Sequence, residues 1–292
     1  MKKVNLYYLA TTTAVLLWSA SYIATKYAYS CFSPLMAGLV RFFFATVLLF
    51  AVRIITKETV RPCKKDMARI AVSGLLGITL YFAAENIGVK LTSASNCSLL
   101  VASYPAITAL FEFFIYRTKP TLRKVIGITL AFSGVVILTS QGGSSGNETF
   151  WGNLILIGAG VIWTFYNFIT RTVTSKYSPV TLSYYQFLFG TIFFVPLVLI
   201  EHQPIQDLTG TGIAAMVYLF LGCSVGAFLL YNWGLRKLSA AASVSLMNLV
   251  PVFGIILSAV FLKETITVTQ IIGGAVVILG VILSTTTGKK ER

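Results

Sequence analysis

The sequence predicts an all-α integral membrane protein of ten transmembrane helices, arranged as two inverted five-helix repeats. Three observations carry this. Of 292 residues, 56% are hydrophobic and only 11% charged, whereas soluble domains are roughly one quarter charged. Apolar runs long enough to cross a bilayer recur ten times. The second half of the chain also repeats the first in a nearly constant register.

A helix needs about 20 apolar residues to cross the hydrocarbon core. Windows of that length place the spans at 6–27, 34–55, 67–88, 94–117, 122–140, 150–172, 179–200, 211–234, 240–262 and 268–286. Lys2 and Lys3 precede span one as they would a signal peptide, but the apolar run is long and no cleavage-type sequence comes after it. Span one is therefore read as a retained helix. The connections are mostly short, so no soluble domain fits between spans, and any activity has to be housed within the bundle. Residues 1–292 form a single membrane domain, with repeat one at 6–140 and repeat two at 150–286.

The net charge of +14 would suit a nucleic-acid partner if it were gathered on one patch. Instead it tracks the connections. With the N-terminus inside, nineteen of the 23 Lys and Arg residues fall in cytoplasmic segments, against Lys26, Lys90 and Lys263 outside and Arg41 within span two. The positive-inside rule then gives a multi-pass protein of the cytoplasmic membrane with both termini cytoplasmic. Its partners are lipid and a small-molecule substrate, with no nucleic acid, and it is a monomer or a homodimer.

Cys31, Cys63, Cys97 and Cys223 show no paired metal-ligand spacing, so neither a metal site nor a disulfide is expected. No cofactor is implied. Cys31 falls in an outer loop and Cys63 in an inner one. The only histidine, His202, sits in the polar outer loop "EHQPIQD" and reads as a solvated residue.

The repeat is explicit in "NIGVKLTSASNCSLLVASYP" (residues 86–105) and "NWGLRKLSAAASVSLMNLVP" (residues 232–251), which match at a shift of 146. That shift continues through Gly127/Gly273 and Gly134/Gly280. Earlier spans match at 145, through Trp18/Trp163, Ser33/Ser178, Pro34/Pro179, Phe42/Phe187 and Thr46/Thr191. Five spans is an odd number, so the second copy starts on the opposite side of the membrane and lies inverted. The charges agree: the loop between spans two and three carries six Lys or Arg, and its counterpart "EHQPIQDLTG" carries none. Between spans four and five there are four, against Lys263 alone between spans nine and ten. Inverted repeats suit alternating access around a site near the midplane.

Trp18 and Trp163, "SPLMAGLVRFFFA" with Arg41, and the two half-ends "YPAITALFEFFIYRTKPTLRKVIGITLAFSGVVIL" and "VPVFGIILSAVFLKETITVTQIIGGAVVILGVIL" resemble the EamA-type ten-helix transporters of the drug/metabolite transporter superfamily. Glu264, Gln270, Gly273 and Gly280 match that pattern, while Thr118 and Lys124 stand where the first half would carry the glutamate and glutamine. These positions look like loop and packing features. The resemblance covers nearly the whole chain and implies export of amino acids or varied small metabolites.

Helical periodicity puts Trp18 with Tyr22 on one face of span one, and Trp163 with Tyr166 or Asn167 on one face of span six. Tyr81 and Glu85 are one turn apart on span three, and Tyr104 and Asn248 come from spans four and nine. Together they would form an aromatic substrate pocket with a few polar handles. Arg41, Glu85 and Glu112 are ionisable groups inside spans, where charge is expensive and turns toward a cavity or a partner. Arg41 and Glu85 belong at similar depth, as an ion pair that clamps the bundle or as part of the path. Glu85 is also a candidate coupling group, because burial favours the neutral form of a carboxyl. Glu112 lies toward the cytoplasmic end. Pro105 and Pro251 each remove a backbone donor within a span and are candidate gate hinges, beside small-residue stretches that let helices approach closely.

These residues point to a secondary transporter, an exporter of amino acids or related metabolites by alternating access, with a proton gradient as candidate driving force. A multidrug or cation exporter is the alternative, although span one carries neither Asp nor Glu. An intramembrane enzyme would need a nucleophile with its base or a metal cluster among the spans, and the lone histidine lies in a loop.

Overall fold

A computed structural model describes residues 2–116, 121–139, 146–203, 206–235, 246 and 249–285, and among these every regular element is helical. Helix is the form that satisfies each backbone donor and acceptor within its own segment, as a lipid solvent requires. Six helices are long and apolar enough to cross a membrane unaided: Pro34–Ile55, Lys64–Leu91, Ala94–Glu112, Thr149–Thr174, Pro179–Glu201 and Gly210–Tyr231. Leu249–Phe261 and Val268–Ser284 are shorter apolar helices. Span one (Lys2–Ser19 and Ser21–Ala28) and span five (Leu122–Thr139) complete the series.

Span three runs longer than its apolar window, from Lys64 to Leu91, and has a π-helical stretch at Leu75–Leu80 inside it. Span eight repeats this, with Gly210–Val217 and Ala227–Leu235 on either side of a π-helical Tyr218–Gly226. Gly77 and Gly222, one register of 145 apart, lie within these stretches. The wider turn rotates the C-terminal part of each span relative to a continuous α-helix. Span four is also interrupted. Its first segment ends at Val101 and the second starts at Tyr104, with Pro105 next. Pro251 takes a comparable place near the start of Leu249–Phe261 in span nine.

The packing obeys exchange of the two halves. Span three lies along span six and span one along span eight, and each of these pairings becomes the other when the repeats are swapped. Spans two and seven pair with each other, as do spans four and nine and spans five and ten. On the symmetry axis, residues meet their own equivalents. The rings of Phe42 and Phe187 are 5.2 Å apart in a T-shaped arrangement. The Thr46 and Thr191 hydroxyls are 3.2 Å apart.

Spans two and seven are antiparallel, and their ends cap each other. Ser33 and Ser178 are N-caps that precede prolines, accepting from the backbone N–H of Met36 and Thr181. At one membrane face Ser33 donates to Glu201, at 2.5 Å, beyond the end of span seven's apolar run. At the other face Ser178 and Thr181 donate to Glu58, just past span two. The C-terminal turns are paired likewise: Lys57 and His202 both adopt positive φ, at 54° and 47°. Each such cap is worth about 1 kcal/mol, and the duplication fixes the depth of both helices.

Spans five and ten approach backbone to backbone. A Cβ on Gly127 would stand 2.7 Å from the Gly280 carbonyl oxygen, and one on Gly280 would stand 2.6 Å from that of Gly127. Gly134 faces the Gly273 carbonyl at 2.7 Å. The helix pair therefore needs hydrogen at these positions, as small-residue contacts in membranes do. Span four meets span nine closely too, with Ser95 and Ser258 hydroxyls 2.7 Å apart and Gly254 against Ser98. The small residues 240–245 of span nine lie outside the described residues.

Cys31 differs from its sequence reading as an open loop residue. It is fully buried, and the Thr209 backbone N–H donates to its sulfur at 3.2 Å. Cys63 is exposed.

With one cysteine at a time, His202→Cys is expected to react with an impermeant maleimide from outside intact cells, and Cys63 only after permeabilisation. Native Cys31 should resist both, and the reverse pattern for His202→Cys and Cys63 would overturn the inverted topology. Gly134→Leu and Gly280→Leu are expected to cost about 1–3 kcal/mol or more through overpacking, read as a lower melting temperature of detergent-purified protein.

Candidate substrate site

The π-helical stretch of span three ends at Leu80, and the next residue is Tyr81. Its hydroxyl donates to the Glu85 carboxylate at 2.6 Å. Both groups are buried, Glu85 to 7% exposure, and Tyr22 of span one also faces that carboxylate. No cation lies within ion-pair distance of Glu85 among the described residues. A buried carboxylate served by hydroxyls alone is an unusual expense in lipid.

Aromatic rings surround it. Tyr81 is 4.9 Å from the Trp163 ring and 6.2 Å from Tyr104, and Trp163 is 4.7 Å from Tyr166. Tyr104 is anchored by donating to the Leu156 carbonyl at 2.9 Å. Spans three, four and six thus supply one continuous aromatic group. Asn167 does not join it, because its side chain turns back to the Trp163 carbonyl of its own helix at 2.8 Å. Of the two residues that periodicity offered beside Trp163, Tyr166 is the one in ring contact.

Trp18 takes the equivalent place in the other half. Its indole N–H donates to the Cys223 carbonyl of span eight at 3.1 Å, and its ring lies 5.2 Å from Tyr231. Tyr22 packs elsewhere, among residues of spans three and four. The two helical segments of span one meet at Ala20 between them, and the two side chains pack into different clusters. The two tryptophans fall in separate apolar clusters, each built from residues of both halves.

Arg41 does not reach Glu85 as a direct ion pair. Its Nε donates to Ser224 of span eight at 2.8 Å, and its guanidinium lies 4.7 Å from the Phe82 ring and 5.3 Å from that of Phe42. The arginine is 6% exposed. Phe82 touches both the guanidinium and, at 4.8 Å, the ring of Tyr81, the tyrosine that serves Glu85. Stacking on two rings stabilises the cation where water is scarce. Phe82 and Ser224 escaped the sequence reading. The only local signal was the glycine pair Gly77/Gly222 that marks the π-helical turns placing them.

The remaining residues separate clearly. Glu112 pairs with Lys124 at 3.4 Å near the end of its span. Glu264 accepts from the backbone N–H of Ala94 and Ser95 at 2.9 and 3.1 Å and so caps span four, while Gln270 donates to Asn96 at 2.8 Å. Both hold helices together. Pro105 lies at the break of span four, next to Tyr104. Asn248 lies outside the described residues.

The EamA-like transporter family matches residues 5–140 and again residues 150–286. An uncharacterized transporter of Archaeoglobus fulgidus is 29% identical over 95% of this chain and 96% of its own length. Another, from Bacillus subtilis, is 28% identical over 97% of this chain and 94% of its own. A probable terminal-alkyne amino-acid exporter of Streptantibioticus cattleyicolor is 26% identical over 94% of this chain and 91% of its own. A crystal structure 22% identical in sequence matches 95% of each chain with a TM-score of 0.67, and so shares the fold.

Replacing Tyr81 by Phe removes the hydroxyl that serves Glu85. The expected cost is about 1–3 kcal/mol, measured by thermal melting. Asn167→Ala, which removes only a bond within one helix, should change melting and transport little.

Proposed function

Because the chain belongs to the EamA-like transporter family, matched over both halves, we propose that it exports amino acids or related small metabolites across the cytoplasmic membrane by alternating access. One observation carries the substrate class: a buried carboxylate, Glu85, held by a tyrosine beside a group of aromatic rings. Rings grip an apolar side chain without a fixed charge that would oppose release. The carboxylate offers an acceptor for an ammonium. The relative described as a probable amino-acid exporter supports the same reading.

The two halves supply the motion. A site at the seam of inverted repeats opens to either side as one repeat rocks against the other. The interruption at Pro105 sits directly beside Tyr104 of the aromatic group, so a change of angle there moves a substrate-facing ring. Pro251 has the matching role in repeat two. Trp18 and Trp163 are the duplicated walls, and Asn248 is a polar contributor from span nine. Glu85 takes up a proton on the inward leg of the cycle, which couples export to the proton gradient. The charge pattern orients both termini to the cytoplasm.

A buried acid among rings also suits an organic cation, so flux decides between the readings. In proteoliposomes, uptake of labelled neutral amino acids is expected to exceed that of ethidium and to respond to an imposed pH gradient. Glu85→Gln should remove the pH response and also weaken amino-acid counterflow, because it removes the carboxylate that accepts the ammonium. Trp163→Ala is expected to weaken apparent affinity about tenfold, the loss of roughly 1.4 kcal/mol of ring contact, with Trp163→Phe milder. Trp18→Ala should change in the same direction. Ethidium flux without amino-acid flux would replace this reading with the cation exporter.

A further inference from the structure

Among the described residues, Arg41 makes a single hydrogen bond, from Nε to Ser224. Its two terminal nitrogens donate to none of them, although the residue is only 6% exposed. They are not sealed in. Among the described residues the sealed side-chain polar atoms lacking a partner are Arg53 Nε and Asn153 Nδ2, and the terminal nitrogens of Arg41 are not among them, so they keep some accessible surface. Phe82 and Tyr81 bridge the distance to Glu85 by successive contacts.

The repeat tells what this charge is for. At the shift of 145, Arg41 corresponds to Gln186, a buried neutral residue that donates to Ser73 and Thr170. At the shift of 146, Glu85 corresponds to Tyr231, which packs on Trp18. The same helix packing is therefore built twice, once with charges and once without. A charge needed only to clamp helices would be needed in both halves. Charge in one half alone breaks the symmetry at the place where a solute with two different ends would lie.

The geometry points to a two-pole site in which the terminal nitrogens of Arg41 receive the carboxylate of an α-amino acid and Glu85 receives its ammonium. Ser224 and the rings of Phe42 and Phe82 hold the guanidinium so that its open edge meets both carboxylate oxygens. Solutes of this kind have no net charge, so loading leaves the charge of the bundle unchanged as the repeats rock. The inference rests on the proposed amino-acid transport and names how its site chooses solutes.

The test is counterflow of labelled L-phenylalanine in proteoliposomes, challenged with unlabelled phenylalanine, phenylalaninamide, which lacks the carboxylate, and 3-phenylpropionate, which lacks the ammonium. Each truncated analogue is expected to compete at least about tenfold more weakly than phenylalanine. Arg41→Gln should weaken phenylalanine about tenfold or more while leaving phenylalaninamide unchanged, erasing the preference between them. Ser224→Ala, a milder change that keeps the charge, should reduce the same preference in part, and together with the wild-type comparison it decides the matter if Arg41→Gln does not fold. If phenylalanine is carried but phenylalaninamide competes equally well, the two-pole site is wrong and amino-acid transport stands. If no neutral amino acid is carried, both fall.

Discussion

An odd number of spans in each repeat puts the two copies upside down relative to each other, and that single constraint organises the bundle. A two-fold axis in the membrane plane requires residues near it to meet their own equivalents. Phe42 meets Phe187 and Thr46 meets Thr191. An aromatic pair with a T-shaped fit and a pair of hydroxyls are both self-complementary, so one sequence pattern serves both partners. The glycine contact of spans five and ten obeys the same rule, since Gly127 facing Gly280 implies Gly134 facing Gly273. Lipid adds no hydrophobic drive between helices, so close backbone approach and interhelical hydrogen bonds hold the pair.

The helix ends show how the constraint is secured where lipid gives way to water. Glu201 serves the first turn of span two, and Glu58 serves that of span seven. These carboxylates complement the positive ends of the helix dipoles. Glu264 does the same for span four. Glu58, Glu201 and Glu264 are thus spent on helix N-termini and Glu112 on Lys124, whereas Glu85 has neither a helix end nor a cation within ion-pair distance among the described residues. Its hydroxyl partner Tyr81 emerges at the end of a π-helical stretch, a local irregularity of a kind often found at functional sites.

Symmetry of fold and asymmetry of site coexist without conflict. Exchange of repeats relates the packing of Trp163 against span three to that of Trp18 against span eight. It does not relate the charges, because Gln186 and Tyr231 fill the positions of Arg41 and Glu85. The backbone framework depends on residue size and helix approach, which both copies retain. The recognition proposed here depends on charge, which one copy has.

The sequence by itself determined the solvent, the number and order of spans, the repeat and its inversion. These depend on hydropathy summed over about 20 residues, on odd parity and on loop charge, none of which needs knowledge of distant contacts. It also determined that Tyr81 and Glu85 share a face, because one helical turn relates them within a regular segment. Only the tertiary structure decided what Arg41 touches. A charge at the right depth has many neighbours, and the rotation of span eight that brings Ser224 to it comes from a π-helical turn that periodicity cannot register. The same holds for Trp18 and Tyr22, which periodicity places together and packing divides between two clusters. It holds for Cys31, buried beneath Thr209 from the far half of the chain. Local pattern sets each helix, but the meeting of helices depends on their irregularities, and those arise where packing against a partner outweighs the regular turn.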